Sequence, residues 1–263
     1  MPFFPGMGYP LVPGYETVGV VVDKRASSKL KVGDYVFVPG ANCFEKEKGL
    51  FGASASLLLA SDEKLIKIDS ELKAKGTLFA LAATARHALA GLGNKLPSLI
   101  VGHGVLGRLL ARLTIAAGGE PPTVWESNPL RVGHQTDYKV IDPLKDSSSD
   151  HEAIYEASGD ISVLDKIIPK LKKNGEIVLA GFYSSPISFA FPPAFMREAR
   201  FRISAEFNTE DINITRSLLE TGALSLEGLI SHEKNVNSSK AAYKQSFEDP
   251  ECLKMVIDWR EVA

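Results

Sequence analysis

Hydrophobic residues in the middle of the chain fall into short runs, separated by stretches with helical spacing. The runs are 99–101, 123–126, 139–141, 153–157 and 176–181. They are apolar and rich in β-branched residues, which is typical of strands covered on both faces. Helices are predicted between them, at 105–113, around 129–135 and at 161–172. This alternation predicts an α/β fold with a doubly wound parallel sheet.

The first part of the chain has a different pattern. Short strands are predicted at 17–22, at 35–38 after a turn, at 54–60 and at 64–68, which indicates a mostly β region over residues 1–70. Residues 1–14 carry four prolines and three glycines, which exclude a helix or a central strand. The large apolar side chains of this segment suit either domain packing or contact with a flat apolar ring system; they are Phe3, Phe4, Met7 and Tyr9.

Further helices are predicted on both sides of the alternating region. An alanine-rich helix covers 77–92 and ends at glycines. Three more are predicted in the tail, at 208–221, 239–247 and 251–259, with a break at Pro250 before the last.

A glycine-rich turn follows the strand at 99–101. Gly102, Gly104 and Gly107 have G-x-G-x-x-G spacing, with His103, Val105 and Leu106 between them. The first glycine permits a tight turn, the second lets backbone N–H groups approach a pyrophosphate, and the third lets helix and strand pack closely. The helix dipole favours the same anion. The turn therefore predicts a dinucleotide site, with a purely structural glycine turn as the alternative.

The strand at 123–126 ends in an acid, as a dinucleotide site requires. Glu126 can accept hydrogen bonds from ribose hydroxyls and would repel a 2′-phosphate, which favours NAD over NADP. A solvated carboxylate at a strand end is the alternative. Arg131 can accept a 2′-phosphate, although we expect it to lie along the adenosine, and His103 is expected to contribute its backbone.

Two other loops follow parallel strands, at the edge of the sheet where ligands bind. Their candidate cofactor contacts are Ser158, Gly159, Gly181 and Phe182, with ordinary loop structure as the alternative.

Composition narrows the class of protein. The 263 residues are 44% hydrophobic and 24% charged with a formal net charge of −2, so neither nucleic acid nor an anionic membrane is an expected partner. No integral membrane segment or signal peptide is predicted. Cys43 and Cys252 are expected to be free thiols in a reducing compartment, by default the cytoplasm. The sequence is compatible with a homo-oligomer and does not determine the oligomeric state.

The segment Pro13-Gly14-Tyr15-Glu16 and the turn Gly33-Asp34-Tyr35-Val36 resemble two motifs of the medium-chain dehydrogenase/reductase superfamily. The resemblance implies a GroES-like mostly β domain over 1–70, a Rossmann dinucleotide-binding domain over 71–215, and a segment 216–263 that returns to the first domain. It also places Thr84 at the family position that approaches the nicotinamide.

Three segments, 4–16, 101–108 and 247–259, are similar to one branch of this superfamily. Its members oxidise the 3-(1-hydroxyethyl) group of a bacteriochlorophyllide to acetyl in bacteriochlorophyll synthesis. The resemblance therefore implies a small-molecule tetrapyrrole substrate.

Two departures from the superfamily pattern bear on the chemistry. The strands that carry the first zinc-binding cysteine are absent before Met1, so the chain is expected to be short at its N-terminus. Tyr15 replaces the zinc-binding histidine, and no four-cysteine lobe is present, so no metal is expected. Without zinc, a side chain must accept the hydroxyl proton. Tyr15, Glu16 and His87 are the candidates, each with packing or anchoring as its alternative role.

Two other functions stay open. The replacement at Tyr15 is compatible with a zinc-independent reductase of quinones or enones that uses NADPH. A short N-terminus is also compatible with a nucleotide-binding remnant that does not catalyse a reaction.

Overall fold

The computed structural model describes residues 8–90, 93, 95–132 and 137–262. The apolar side chains of 1–7 therefore lie outside the described residues. The chain divides into two compact units, which we call unit 1 (Met1–Ala80 with Leu226–Ala263) and unit 2 (Leu81–Ser225). Both unit boundaries come later in the chain than the sequence expectation of 70 and 215. Residues 70–78 form two 3-10 pieces with a kink at Lys73, and they belong to unit 1, where the Tyr35 hydroxyl donates to the Lys73 carbonyl at 2.9 Å.

The elements follow one another along the chain in this order. The strands are β1 Leu11–Pro13, β2 Thr17–Val20, β3 Tyr35–Val38, β4 Lys48–Leu50, β5 Ile66–Lys67, β6 Leu99–Val101, β7 Thr123–Trp125, β8 Lys139–Ile141, β9 His151–Glu156, β10 Leu171–Leu179, β11 Arg200–Ile203, β12 His232–Asn235 and β13 Met255–Asp258. The helices are α1 Phe79–Leu89, α2 Val105–Ala116, α3 Pro129–Val132, α4 Leu164–Ile167, α5 Phe191–Arg197, α6 Thr209–Glu220 and α7 Ser239–Glu248.

Unit 2 contains a six-stranded sheet in the order β11-β10-β9-β6-β7-β8, with every pair parallel. This confirms the predicted α/β fold with a doubly wound sheet. The chain runs from β6 outward to β8 and then returns to the other side of β6 at β9. The gap between β6 and β9 is therefore the point where the strand order reverses, which is where such sheets bind ligands.

Unit 1 contains three small sheets in its described part. The antiparallel sheet β2-β3-β5 buries Val36, Phe37 and Val38. β1 pairs in parallel with β4 alone among the described strands, so it lies at an edge, as its Pro13 requires. The strand predicted at 54–60 is wrong, because these residues are irregular and expose Leu57 and Leu59.

Two predicted helices differ from the structure. The stretch 161–172 is helical as predicted through Lys170, as the short α4 between two 3-10 turns, but Pro169 lies in the second turn and Leu171 already belongs to β10. Its predicted apolar side is nevertheless buried. The stretch 251–259 instead contains strand β13, which pairs in parallel with β12.

The remaining differences concern element ends and omissions. α1 begins at Phe79 and ends at Leu89, whereas Leu92 lies outside the described residues, as do 133–135 of the predicted helix after Pro129. The elements β1, β4, α5, β11 and β12 have no counterpart in the sequence prediction. None of the helices in the described part of the chain has the length and apolar run needed to cross a bilayer.

Candidate functional site

The glycine turn joins β6 to α2 in the geometry that binds an anion. Gly102 has φ +98°, a conformation that L side chains rarely adopt, and its N–H donates to the Trp125 carbonyl at 3.0 Å. Gly104 caps α2 without a side-chain hydrogen bond, and a Cβ placed there would meet nothing within 4 Å. No capping side chain thus occupies the start of α2, and the space beside Gly104 is open, as a bound pyrophosphate requires.

Gly107 fixes the distance between the helix and the strand. A Cβ at Gly107 would lie 1.8 Å from the Gly102 carbonyl oxygen, which is backbone and cannot move aside cheaply. The neighbouring Val105 is buried and Leu106 is half-buried. Gly102 thus makes the tight turn and Gly107 allows the close packing that their spacing predicts, whereas the approach of a pyrophosphate at Gly104 stays a prediction.

His103 forms hydrogen bonds through its ring as well as through its backbone carbonyl, and the sequence did not reveal the bonds of the ring. The ring is fully buried, with Nδ1 3.0 Å from the Arg131 carbonyl and Nε2 3.0 Å from the Tyr138 hydroxyl. Because a carbonyl only accepts, Nδ1 carries the proton and donates. The His103 carbonyl accepts from Arg108 Nε at 3.0 Å, and burial lowers the pKa of Arg108. His103 therefore ties the glycine turn to the segment that carries Arg131.

Glu126 is buried at the end of β7, so it is not a solvated strand-end carboxylate. Its Oε1 accepts from the Asn128 N–H at 2.7 Å, and its backbone N–H donates to the Ile141 carbonyl at 3.0 Å. One carboxylate oxygen is thus occupied by the turn into α3. Ribose hydroxyls would bind through the other oxygen.

Two loops at the carboxyl edge meet at a residue that the sequence analysis missed. The Glu156 carboxylate, at the end of β9, accepts from the N–H and hydroxyl of Ser158, from the Gly159 N–H and from the Tyr183 hydroxyl. Burial and this hydrogen bond raise the pKa of Tyr183. An acidic residue within the otherwise uncharged run 153–157 was the available signal.

The loops after β6, β9 and β10 are in close contact. A Cβ at Gly102 would lie 3.0 Å from the Ser158 nitrogen. Gly159 has φ +71°, and a Cβ there would lie 2.8 Å from the Phe182 carbonyl oxygen, whereas a Cβ at Gly181 would lie 2.7 Å from the Gly159 nitrogen. The structure therefore brings together Gly102, Ser158, Gly159, Gly181 and Phe182, with the Phe182 side chain exposed.

α1 carries two further candidates. Thr84 is half-buried, and His87 Nδ1 lies 2.7 Å from Asp211 Oδ2. Asp211 is buried at the start of α6, where it also accepts from the Asn208 N–H at 2.9 Å and lies 3.4 Å from Arg86. A cavity of about 160 Å³ borders His87 and Asp211. His87 is thus oriented by a buried carboxylate.

Tyr15 and Glu16 belong to unit 1. The Tyr15 ring is 40% exposed and packs edge-on against Phe51, with centroids 5.0 Å apart. Glu16 Oε2 forms an ion pair with Lys254, whereas Oε1 is buried without a hydrogen-bond partner in the described part of the chain. Among the described residues, no group of three or more His, Cys, Asp or Glu side chains is placed to hold a metal ion.

Comparison with known sequences finds similar dehydrogenases. The chain is 56% identical over 268 residues to the 2-desacetyl-2-hydroxyethyl bacteriochlorophyllide A dehydrogenase of Cereibacter sphaeroides, covering 100% of this chain and 84% of that protein. It is 54% identical over 262 residues to the protein of the same name from Rhodobacter capsulatus, covering 99% and 83%. No family model matches the chain.

Solved structures of other dehydrogenases share the fold. The 2R,3R-butanediol dehydrogenase of Bacillus subtilis superposes with a TM-score of 0.79 at 19% identity, covering 96% of this chain and 82% of that one. Haloferax mediterranei glucose dehydrogenase, solved in complex with NADP, Zn and gluconolactone, gives 0.74 at 20% identity, covering 95% and 83%.

Proposed function

Because the chain belongs to the family of the 2-desacetyl-2-hydroxyethyl bacteriochlorophyllide A dehydrogenases, a branch of the medium-chain dehydrogenase/reductase superfamily, we propose that it oxidises the 1-hydroxyethyl group of a bacteriochlorophyllide to acetyl with NAD. The observation that carries this proposal is 56% identity over the full chain. The substrate is then a tetrapyrrole small molecule.

The glycine turn supports a dinucleotide as the cofactor. The open N-terminus of α2 provides unpaired N–H groups for the pyrophosphate, and Gly104 leaves room for it. A carboxylate at Glu126 supports NAD, because it would hydrogen-bond ribose hydroxyls and repel a 2′-phosphate. Its burial strengthens both effects, since a charge away from water is screened less.

Oxidation of a secondary alcohol removes a hydride from the carbinol carbon and a proton from the hydroxyl oxygen, leaving a ketone. When bound, the nicotinamide supplies the hydride acceptor. The protein has to orient the alcohol and take the proton. These tasks fall to its own side chains or to a water that they hold.

Three side chains remain proposed proton acceptors. His87 has the geometry of a base held by an acid, because buried Asp211 binds Nδ1 and leaves Nε2 to take a proton. Glu16 keeps Oε1 without a partner in the described part of the chain, although Lys254 binds its other oxygen. Tyr15 has an exposed face, and its contact with Phe51 supports packing as its alternative role.

The test combines purified protein, NAD⁺ and a 3-(1-hydroxyethyl) bacteriochlorophyllide. We expect NADH and the 3-acetyl product to form in equal amounts, seen as NADH absorbance and a shift of the macrocycle absorption band. Cofactor binding without turnover would overturn this function and favour a nucleotide-binding remnant. Reduction of quinones or enones with a strong preference for NADPH would favour the reductase.

The proton acceptor is tested with His87→Gln, Glu16→Gln and Tyr15→Phe. Loss of the acceptor lowers kcat about 100-fold or more and removes one limb of its pH profile. A variant that only loses stability keeps the wild-type pH profile below its unfolding temperature. This difference separates a base from an anchor.

A further inference from the structure

Glu156 is a charged side chain with no exposed surface, at the end of the strand that lies between β6 and β10. Burying a carboxylate costs free energy unless its oxygens are hydrogen-bonded. The described residues supply those bonds from two loops that are far apart along the chain. Glu156 therefore joins these loops to the sheet.

The first loop binds through its backbone. The Ser158 N–H donates to Oε1 at 2.6 Å, and the Gly159 N–H lies 3.2 Å from each carboxylate oxygen. The Ser158 hydroxyl donates to the same Oε1. Charge-assisted bonds of this kind are stronger than neutral ones, so they fix the conformation of residues 158 and 159.

The second loop binds at both the side chain and the backbone of Glu156. The Tyr183 hydroxyl donates to Oε2. The Ala180 and Gly181 N–H groups donate to the Glu156 carbonyl at 2.8 and 2.9 Å. A single residue thus holds the loops after β9 and β10 in one arrangement.

These loops lie on one side of the point where the strand order reverses, and Glu126 lies on the other. β9 and β10 lie on one side of β6, whereas β7, which ends beside Glu126, lies on the other. A dinucleotide placed across this point has its adenosine half toward β7, so its second half lies toward β9 and β10.

We propose that Glu156 is a positioning residue for the nicotinamide half of the cofactor, an inference that rests on the proposed dinucleotide. Glu156 acts through the loops at Ser158 and Phe182 rather than by touching the ligand. Loops that are already ordered lose less entropy when the ligand binds, so affinity is higher.

The test compares two ligands on Glu156→Gln in the full chain. Glutamine keeps the size of the side chain but replaces one acceptor oxygen with a donor that opposes the loop N–H groups. We expect the dissociation constant of NADH, followed by its fluorescence, to rise about tenfold. The dissociation constant of ADP, which has only the adenosine half, stays unchanged within error in calorimetry.

Glu152→Gln is the matched control. Glu152 lies on the same strand and is exposed, with ion pairs to Lys95 and Lys172. Its substitution leaves both dissociation constants unchanged. Tyr183→Phe removes only one hydrogen-bond donor to Glu156, so we expect it to raise the dissociation constant of NADH about threefold. This variant also provides the test if Glu156→Gln does not fold.

Hydrogen exchange on the cofactor-free protein gives a second readout. Amides of Ser158 and Gly159 lose protection in Glu156→Gln and keep it in Glu152→Gln. The role of Glu156 is overturned if NADH affinity is unchanged while only the melting temperature falls, or if NADH and ADP weaken equally. Failure of the unaltered chain to bind NADH would instead overturn the proposed cofactor and this role with it.

Discussion

At the scale of single residues, Gly107 is closely packed and Gly104 lies beside open space, so we expect the same substitution to cost far more stability at Gly107 than at Gly104. Gly107→Ala would bring a methyl group to 1.8 Å from a backbone oxygen. We expect this substitution to lower the free energy of unfolding by about 3 kcal/mol or more. Gly104→Ala meets nothing within 4 Å, so it changes stability by less than about 1 kcal/mol. Urea unfolding measures both values.

The two variants also separate folding from binding. The methyl group of Gly104→Ala occupies the space before the first N–H groups of α2, so we expect weaker NADH binding by a stable protein. Equal stability of the two variants, or normal NADH affinity in Gly104→Ala, would contradict the geometry described for this turn.

His151 makes stability depend on pH. Its ring is buried between the hydroxyls of Ser98 and Ser148. Burial is the main cause that lowers its pKa; Asp146 and Asp150 raise the pKa, and Lys170 lowers it further. Below about pH 6.5 the unfolded chain binds a proton that the folded chain does not, so stability falls as pH decreases. His151 contributes at most about 1.4 kcal/mol per pH unit to the slope of the unfolding free energy against pH. Urea unfolding between about pH 7 and 5 should show a smaller slope for His151→Gln.

The sequence was informative about residues whose role depends on neighbours along the chain. Gly102 and Gly107 act through local backbone geometry, so their spacing was sufficient to predict the turn and the close packing. Glu156 was missed because one of its partners, Tyr183, follows the next strand of the sheet. Such a contact depends on strand order, which no local pattern contains.

At the scale of elements, the error at 251–259 has the same origin. Residues 251–259 have helical spacing, but Val256 and Ile257 pair with β12, more than twenty residues earlier in the chain. Parallel pairing of this kind is non-local. The helix predicted at 161–172 is two residues too long, although Pro169 gave a local signal for its end, since proline disfavours a helix interior.

The start of α6 offers a test of an element boundary. Asn208 caps the helix by accepting from the Glu210 and Asp211 N–H groups, at 2.8 and 3.1 Å. We expect Asn208→Ala to cost about 1 kcal/mol. Asp211→Ala should cost about 3 kcal/mol, because it also removes the buried partner of His87 and Arg86. Thermal and urea unfolding measure both.

A double-mutant cycle tests the pair that orients His87. Alanine substitutions of His87 and Asp211, alone and together, should give a coupling free energy of about 0.5–3 kcal/mol. Strictly additive effects would show that the 2.7 Å contact does not stabilise the protein, and would remove the support for His87 as an oriented base.

At the scale of the whole molecule, the cofactor should stabilise the folded chain. A ligand that binds only the native state adds about 2.7 kcal/mol at a concentration 100 times its dissociation constant. For a protein of this size each kcal/mol raises the melting temperature by about 2–4 °C, so NADH should raise it by several degrees. At equal concentration NADPH should raise it less, because Glu126 repels the 2′-phosphate. Glu126→Ala should reduce this difference or reverse it, since Arg131 remains. A larger shift with NADPH in the unaltered chain would contradict the role of Glu126 and favour the reductase.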